Sequence, residues 1–307
     1  MRRVGAVIVA ARVAPVGLSV ALGTPEATPG SDLDLRVTCR AAEDVTITGV
    51  EVALVTTTTV RHREAGLLGS ASRSRRTEVH AQGGLPGPWP LGAGESVTLP
   101  ARLYLPADAP GTATADLVRV EWALRVRLAA VGFAFAEARR DLVVRTGAAD
   151  RAAVATAPPT LVDRGSARLA LEALSSRVLS PGGVVAGTLL IEPLRATHVS
   201  AARVTLLLRQ QVHHGHWLSD DPARNPASEE NEKDTRLAQA TVCDARDLQP
   251  GSIVRLPFSL SVPADLPAPS MSRPEFTLRW LLRADLDRGL RRKPFVELEL
   301  HGRTAPG

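Results

Sequence analysis

The stretch Val254–Leu286, VRLPFSLSVPADLPAPSMSRPEFTLRWLLRADL, decides the fold. Pro263, Pro267, Pro269 and Pro274 rule out a helix through its middle, because each removes a backbone donor and clashes with the preceding turn. From Phe276 onward the residues alternate. Phe276, Leu278, Trp280, Leu282, Ala284 and Leu286 are apolar, and of the residues between them only Leu281 is not polar. Side chains of a strand point to opposite faces with a period of two, so the run predicts a strand with one face on a core.

The same pattern occurs earlier, at Val97–Leu128, VTLPARLYLPADAPGTATADLVRVEWALRVRL. Leu99-Pro100 answers Leu256-Pro257, and Pro106–Pro110 answers Pro263–Pro267, both at an offset of 157 (257 − 100 and 263 − 106). Trp122 answers Trp280 at 158, with Val118, Val120, Leu124, Val126 and Leu128 on its face. A strand, a Pro-Ala-Asp-x-Pro turn and a Trp-bearing strand in the same order mark a tandem repeat. Further turns correspond upstream, at Pro29-Gly30 and Pro181-Gly182.

Working outward, the 307 residues divide into two copies of ordinary domain size. The domains are expected at 1–147 and 163–307, joined by a linker at 148–162 around Ala157-Pro158-Pro159. Candidate strands in the first are Val4–Val13, Gly17–Leu22, Asp32–Arg40, Val45–Val60, Ser96–Leu105, Leu117–Leu128 and Ala136–Arg145. Those of the second are Ala167–Leu174, Val184–Glu192, Val199–Val212, Arg236–Val242, Ile253–Val262, Glu275–Leu286 and Lys293–His301. Between them, Arg61–Pro90 reads as a Gly-, Ser-, Arg- and Pro-rich loop with a short strand near Thr77–Ala81, and Ser219–Thr235 as an acidic loop. Short strands punctuated by turns predict an all-β chain of two tandem immunoglobulin-like β-sandwiches.

Composition narrows the function classes. A hydrophobic content of 44% with mean hydropathy +0.01 marks a globular chain, and with aromatics at 3% its cores must be built from Val, Leu and Ala. The net charge of +5 and pI near 10.1 invite nucleic acid as a partner. Against that, Lys233 and Lys293 are the only lysines and the arginines are dispersed among 32 acidic residues without stacking aromatics. The Arg-, Ala-, Gly- and Pro-rich composition reads instead as nucleotide bias in the gene. Cys39 and Cys243 fall in different repeats, which suits a reduced cytoplasm better than a disulfide framework. Arg2-Arg3 and the apolar Val4–Ala11 mimic a secretory leader, which makes a secreted or surface β-sandwich an alternative. No apolar stretch reaches the roughly 20 residues of a membrane helix.

The order of these features is similar to that of the arrestin domain. In the second repeat they are Pro181-Gly182, Val199–Val212, Leu256-Pro257-Phe258, Pro263–Pro267 and Phe276–Leu286; in the first, Pro29-Gly30, Val45–Val60, Leu99-Pro100, Pro106–Pro110 and Val118–Leu128. The chain resembles that group, which includes arrestins, α-arrestins, the retromer's arrestin-like subunit and the bacterial sporulation-control proteins, over roughly Gly17 to Gly302. The resemblance implies a non-enzymatic adaptor or scaffold that binds other proteins. The PPxY motifs of the α-arrestins have no counterpart here, and neither does the buried charged switch of visual arrestins.

Candidate binding residues come from the two charged loops. Arg61, Arg63, Arg73, Arg75 and Arg76 stand in one, and Asp220, Asp221, Glu229 and Glu230 in the other. Arginine forks suit acidic groups, and opposite charges suit docking of partner proteins, or pairing of the two domains or of two subunits in a homo-oligomer. The plainer account is two solvated loops. His214 and His216 would share one face of a strand about 7 Å apart, within reach of one metal ion, with Asp220 and Asp221 just beyond. That makes a metal- or ligand-binding sandwich using His213–Asp221 the other alternative. No cofactor motif is present. The nucleophile elbow, the P-loop, H-E-x-x-H and C-x-x-C are all missing, so no catalytic residue is expected.

Overall fold

The computed structural model describes residues 15–63, 71–132, 135–146, 162–163, 166–213, 231–289 and 293–304. They are all-β, with no helix among them. The chain divides into two units: Met1–Val60 with Arg73–Thr114 and Arg119–Arg145, and Arg61–Ser72 with Ala115–Val118 and Thr146–Gly307. The expected linker falls outside the described residues except for Val162, and so does the candidate strand at Val4–Val13.

The first nine strands are β1 (Val16–Leu22), β2 (Glu26–Ala27), β3 (Asp32–Ala41), β4 (Val45–Arg63), β5 (Ala71–Leu91), β6 (Ser96–Tyr104), β7 (Ala113–Thr114), β8 (Val118–Ala130) and β9 (Ala136–Val144). They form one sheet of order β1-β3-β6 and another of order β2-β9-β8-β4-β5, with β7 on β8. The core lies between the two. Val20, Val37 and Leu99 from the smaller sheet join Leu54, Trp122, Leu124 and Leu142 from the larger in one buried cluster. The reason is legible in β3, DLDLRVTCRA, where every second residue (Leu33, Leu35, Val37, Cys39, Ala41) is buried.

The remaining strands are β10 (Val162–Asp163), β11 (Ala167–Glu172), β12 (Val178–Leu179), β13 (Val184–Pro193), β14 (Thr197–Val199), β15 (Ala201–Val212), β16 (Asn231–Cys243), β17 (Arg246–Leu248), β18 (Val254–Ser261), β19 (Met271–Arg273), β20 (Phe276–Asp287) and β21 (Phe295–Gly302). Their sheets run β10-β11-β13-β18 and β12-β21-β20-β15-β16, with β19 on β20, and a separate β14-β17 pair. Apart from β10 and that pair, the order copies the first unit strand for strand. Register agrees as well. Ala113 opposite Val120 becomes Met271 opposite Leu278, and Trp122 opposite Leu142 becomes Trp280 opposite Leu300, every residue moved by 158.

The duplication extends to single hydrogen bonds. The Trp122 indole Nε1–H donates to the Pro110 carbonyl at 2.8 Å, and that of Trp280 to the Ala268 carbonyl at 3.1 Å. Beside the first, Thr112 and Val144 exchange two bonds: N–H of Thr112 to the Val144 carbonyl, and N–H of Val144 to Thr112 Oγ1. Ser270 and Gly302 repeat both beside the second. A buried indole must find an acceptor, and each repeat supplies it from the chain twelve residues upstream. At the Pro-Gly turns, Gly30 and Gly182 adopt φ of 81° and 70°, which a side chain would oppose.

Three expectations are corrected. Most of Arg61–Pro90 is not a loop: Ala71–Leu91 is a 21-residue strand at the edge of its sheet. An edge strand makes ladder hydrogen bonds on one side only, so it tolerates Pro86, Pro88 and Pro90, all exposed, where a central strand would not. Its inward residues Ala81, Leu85, Trp89 and Leu91 pack on the core. Likewise Asn231–Thr235 is no loop but the start of β16, paired residue by residue with β15 from Val212 to Leu208. The single strand expected at Val199–Val212 is broken at Ser200, whose N–H donates to the Asp287 carbonyl.

Candidate functional site

The sequence-derived arginines are spread along two strands rather than gathered on a loop. Arg61 is exposed on β4 and Arg63 closes that strand; Arg73, Arg75 and Arg76 are exposed on β5. Arg76 is already paired with Glu78 at 2.8 Å. Two residues further on, the His80 Nε2 is 2.8 Å from Thr56 Oγ1 and 3.9 Å from Glu78, and its ring is 4.6 Å from that of Trp122. The acidic candidates Asp220, Asp221, Glu229 and Glu230 lie outside the described residues, as do His214 and His216. His213 is described; its Nε2 is 3.2 Å from Thr277 Oγ1. No group of three or more metal-ligating side chains occurs among the described residues.

What the structure does gather is a charged mosaic on the outer face of the β16-β15-β20-β21 sheet. Register puts Arg203, Arg209, Arg283 and Asp285 on one face of neighbouring strands, with Asp234 and Glu297 flanking. Arg209 is its centre. Its Nε and Nη2 donate to Asp234 at 2.8 and 2.9 Å, and its Nη1 and Nη2 to Glu297 at 3.1 and 3.0 Å. These fork-to-carboxylate bonds, to Asp234 first and then Glu297, hold the guanidinium charged more firmly than usual, against the opposing effect of burial. At one end Asp287 accepts from Arg203 at 2.8 Å and Lys293 at 3.1 Å, which draws its carboxyl pKa down to about 2. A depressed folded value means stability that is present above the unfolded value of about 3.9 and is lost as the pH falls toward 2.

Between these pairs lies a cleft of about 390 Å³ lined by Arg203, Asp234, Arg236, Arg283, Asp285 and Lys293. The first unit has a different one. Gly49, Leu85, Pro86, Ala129, Arg127 and Phe135 line an open cleft of about 560 Å³. Here the room comes from missing side chains: a Cβ on Gly84, which also lines the cleft, would meet nothing within 4 Å. Over it the Arg127 guanidinium sits 5.3 Å from the Phe135 ring.

Neither arrangement is apparent from spacing alone, since both depend on which strands become neighbours. The signal available was weaker: scattered charges among the positions that alternate away from the core, Arg203 and Arg209 on β15 and Arg279, Arg283 and Asp285 on β20. The mosaic's main work is structural. Arg209 is only 19% exposed, and Arg209→Met would deprive Asp234 of its fork and leave Glu297 with Arg283 alone, at 3.6 Å. It should cost the second unit about 1–2 kcal/mol, read as a lower urea midpoint at unchanged slope, with Arg209→Lys recovering only part because lysine lacks the fork.

Cys39 and Cys243 are both free thiols. Cys39 is fully buried, and burial pushes its pKa up to about 11. Among the described residues no helix is long and apolar enough to cross a membrane. No protein-family model matches the chain, and no curated protein matches it either.

Proposed function

We propose that the chain is a non-enzymatic, arrestin-like adaptor, two immunoglobulin-like sandwiches that hold other proteins at their strand edges and connecting segments. The observation that carries this reading is the repeated strand order, β2-β9-β8-β4-β5 and β12-β21-β20-β15-β16, each with a two-residue strand laid parallel on the last strand of its repeat. Its support is architectural: rigid doubled sheets with exposed rims suit display. A reducing compartment suits the two free thiols. Arg73 and Arg75, exposed on an edge strand, are the groups this reading assigns to an acidic partner.

The test is recovery of partners from the protein's own cells by crosslinking and mass spectrometry. Wild type should recover a protein that a tag-only control does not. Arg73→Glu with Arg75→Glu should lose at least nine-tenths of it while the far-ultraviolet spectrum stays unchanged. Equal recovery by the variant would remove this surface from the reading, and no recovery above the control would remove the reading itself.

A further inference from the structure

The two copies give one equivalent arginine different partners. Residues of β8 and β9 correspond to those of β20 and β21 at an offset of 158, so Arg125 answers Arg283 and Glu137 answers Phe295. In the first copy the Arg125 Nε is 3.2 Å from Glu137, which neutralises it. In the second a phenyl ring stands where that carboxylate was, and the Arg283 guanidinium lies 4.1 Å from its centroid. The only carboxylate within 4 Å of Arg283 among the described residues is Glu297, at 3.6 Å, and it accepts its hydrogen bonds from Arg209. Arg283 is 31% exposed and makes no hydrogen bond among the described residues. A ring that holds a guanidinium by its face and leaves the donors in its plane unbonded readies the arginine for a planar anion.

Arg283 lines the cleft of about 390 Å³ in the second unit, together with Arg203 and Lys293, and with Arg236 on the far side of β15. Arg236 is exposed and likewise has no hydrogen bond or ion pair among the described residues. Two carboxylates share the lining. Asp234 is held by Arg209, and Asp285 acts on Arg203 through space alone. We infer that this cleft binds a small dicarboxylate, one carboxylate taken by Arg283 and the other by Arg236, with Arg203 and Lys293 adding positive charge. The two unbonded guanidiniums belong to strands two spacings apart, about 10 Å at the backbone. Stacking on Phe295 draws Arg283 toward β21 and away from Arg236, so the pair does not converge on one small anion. Asp234 and Asp285 also repel a compact dianion such as phosphate more than two single charges held apart.

Isothermal titration calorimetry of the full chain tests it, with succinate, glutarate and adipate as probes and acetate and inorganic phosphate for comparison. At least one of the three dicarboxylates should bind a single site with Kd below about 1 mM, and acetate and phosphate roughly tenfold or more weakly. Phe295→Glu restores the carboxylate of the first copy beside an intact Arg283 and should weaken binding roughly tenfold or more. Arg236→Gln, at an exposed position that the fold does not depend on, should do the same. Unchanged far-ultraviolet spectra show that both variants are folded. No saturable binding of any dicarboxylate, or binding that neither variant moves, overturns the proposal. Acetate or phosphate bound as tightly, or binding that Arg236→Gln leaves intact, overturns the assignment of two carboxylates.

Discussion

Trp280→Ala should lower the stability of the second sandwich by about 3–5 kcal/mol, the range for removing a buried tryptophan. The indole is 0% exposed, sits at the centre of β20, and gives its N–H to the Ala268 carbonyl. Truncation therefore opens a large cavity and strands a buried acceptor at the same time. Urea unfolding followed by far-ultraviolet circular dichroism would show the transition of one unit moved and the other in place. Trp122→Ala should do the same to the first unit, because its burial and its bond to Pro110 are the same in kind. If both substitutions shift both transitions equally, the units do not unfold separately and the chain must be treated as one cooperative block.

The second large effect belongs to Gly302. A β-carbon there would land on the Trp280 indole, at atoms that the ring's burial and hydrogen bond keep from yielding. Gly302→Val should cost about 3 kcal/mol or more, the upper end for overpacking a close-packed interior. In the first repeat the same position is Val144, fully buried and accepted without conflict. The valine is thus native to one copy and excluded from the other. Trp280→Ala combined with Gly302→Val should be more stable than the sum of the two losses, since each relieves the other; additive losses would mean that the two groups do not meet.

Those two tryptophans were legible because alternation is a local signal, read from one strand at a time. The same held for β3, β13, β18 and β20, whose bounds move by a residue or two at most. What composition hid was β5. Its glycines and prolines are loop residues by frequency, and only its place at the rim, where one side of the ladder is not needed, explains how it can be a strand. The two- and three-residue strands β2, β7, β10, β12, β14, β17 and β19 are too short to show any period. The Arg209 mosaic was illegible for a different reason. Its partners come from β16 and β21, 25 and 88 residues away, so it exists only once register is fixed.

Tandem copies of one domain run a risk while they fold, because a segment of one can lodge in the other. Gly302 answers that risk at one end of the second repeat, and Gly187 at another. Where the first repeat has Leu35 on β3, the second has Gly187 on β13, and a side chain there would run into Leu174 and Phe258. A β3 or β9 that strayed into the second copy would bring a leucine or a valine to a place with no room for it. At these two positions the copies have diverged so that a strand of the first would not fit the packing of the second.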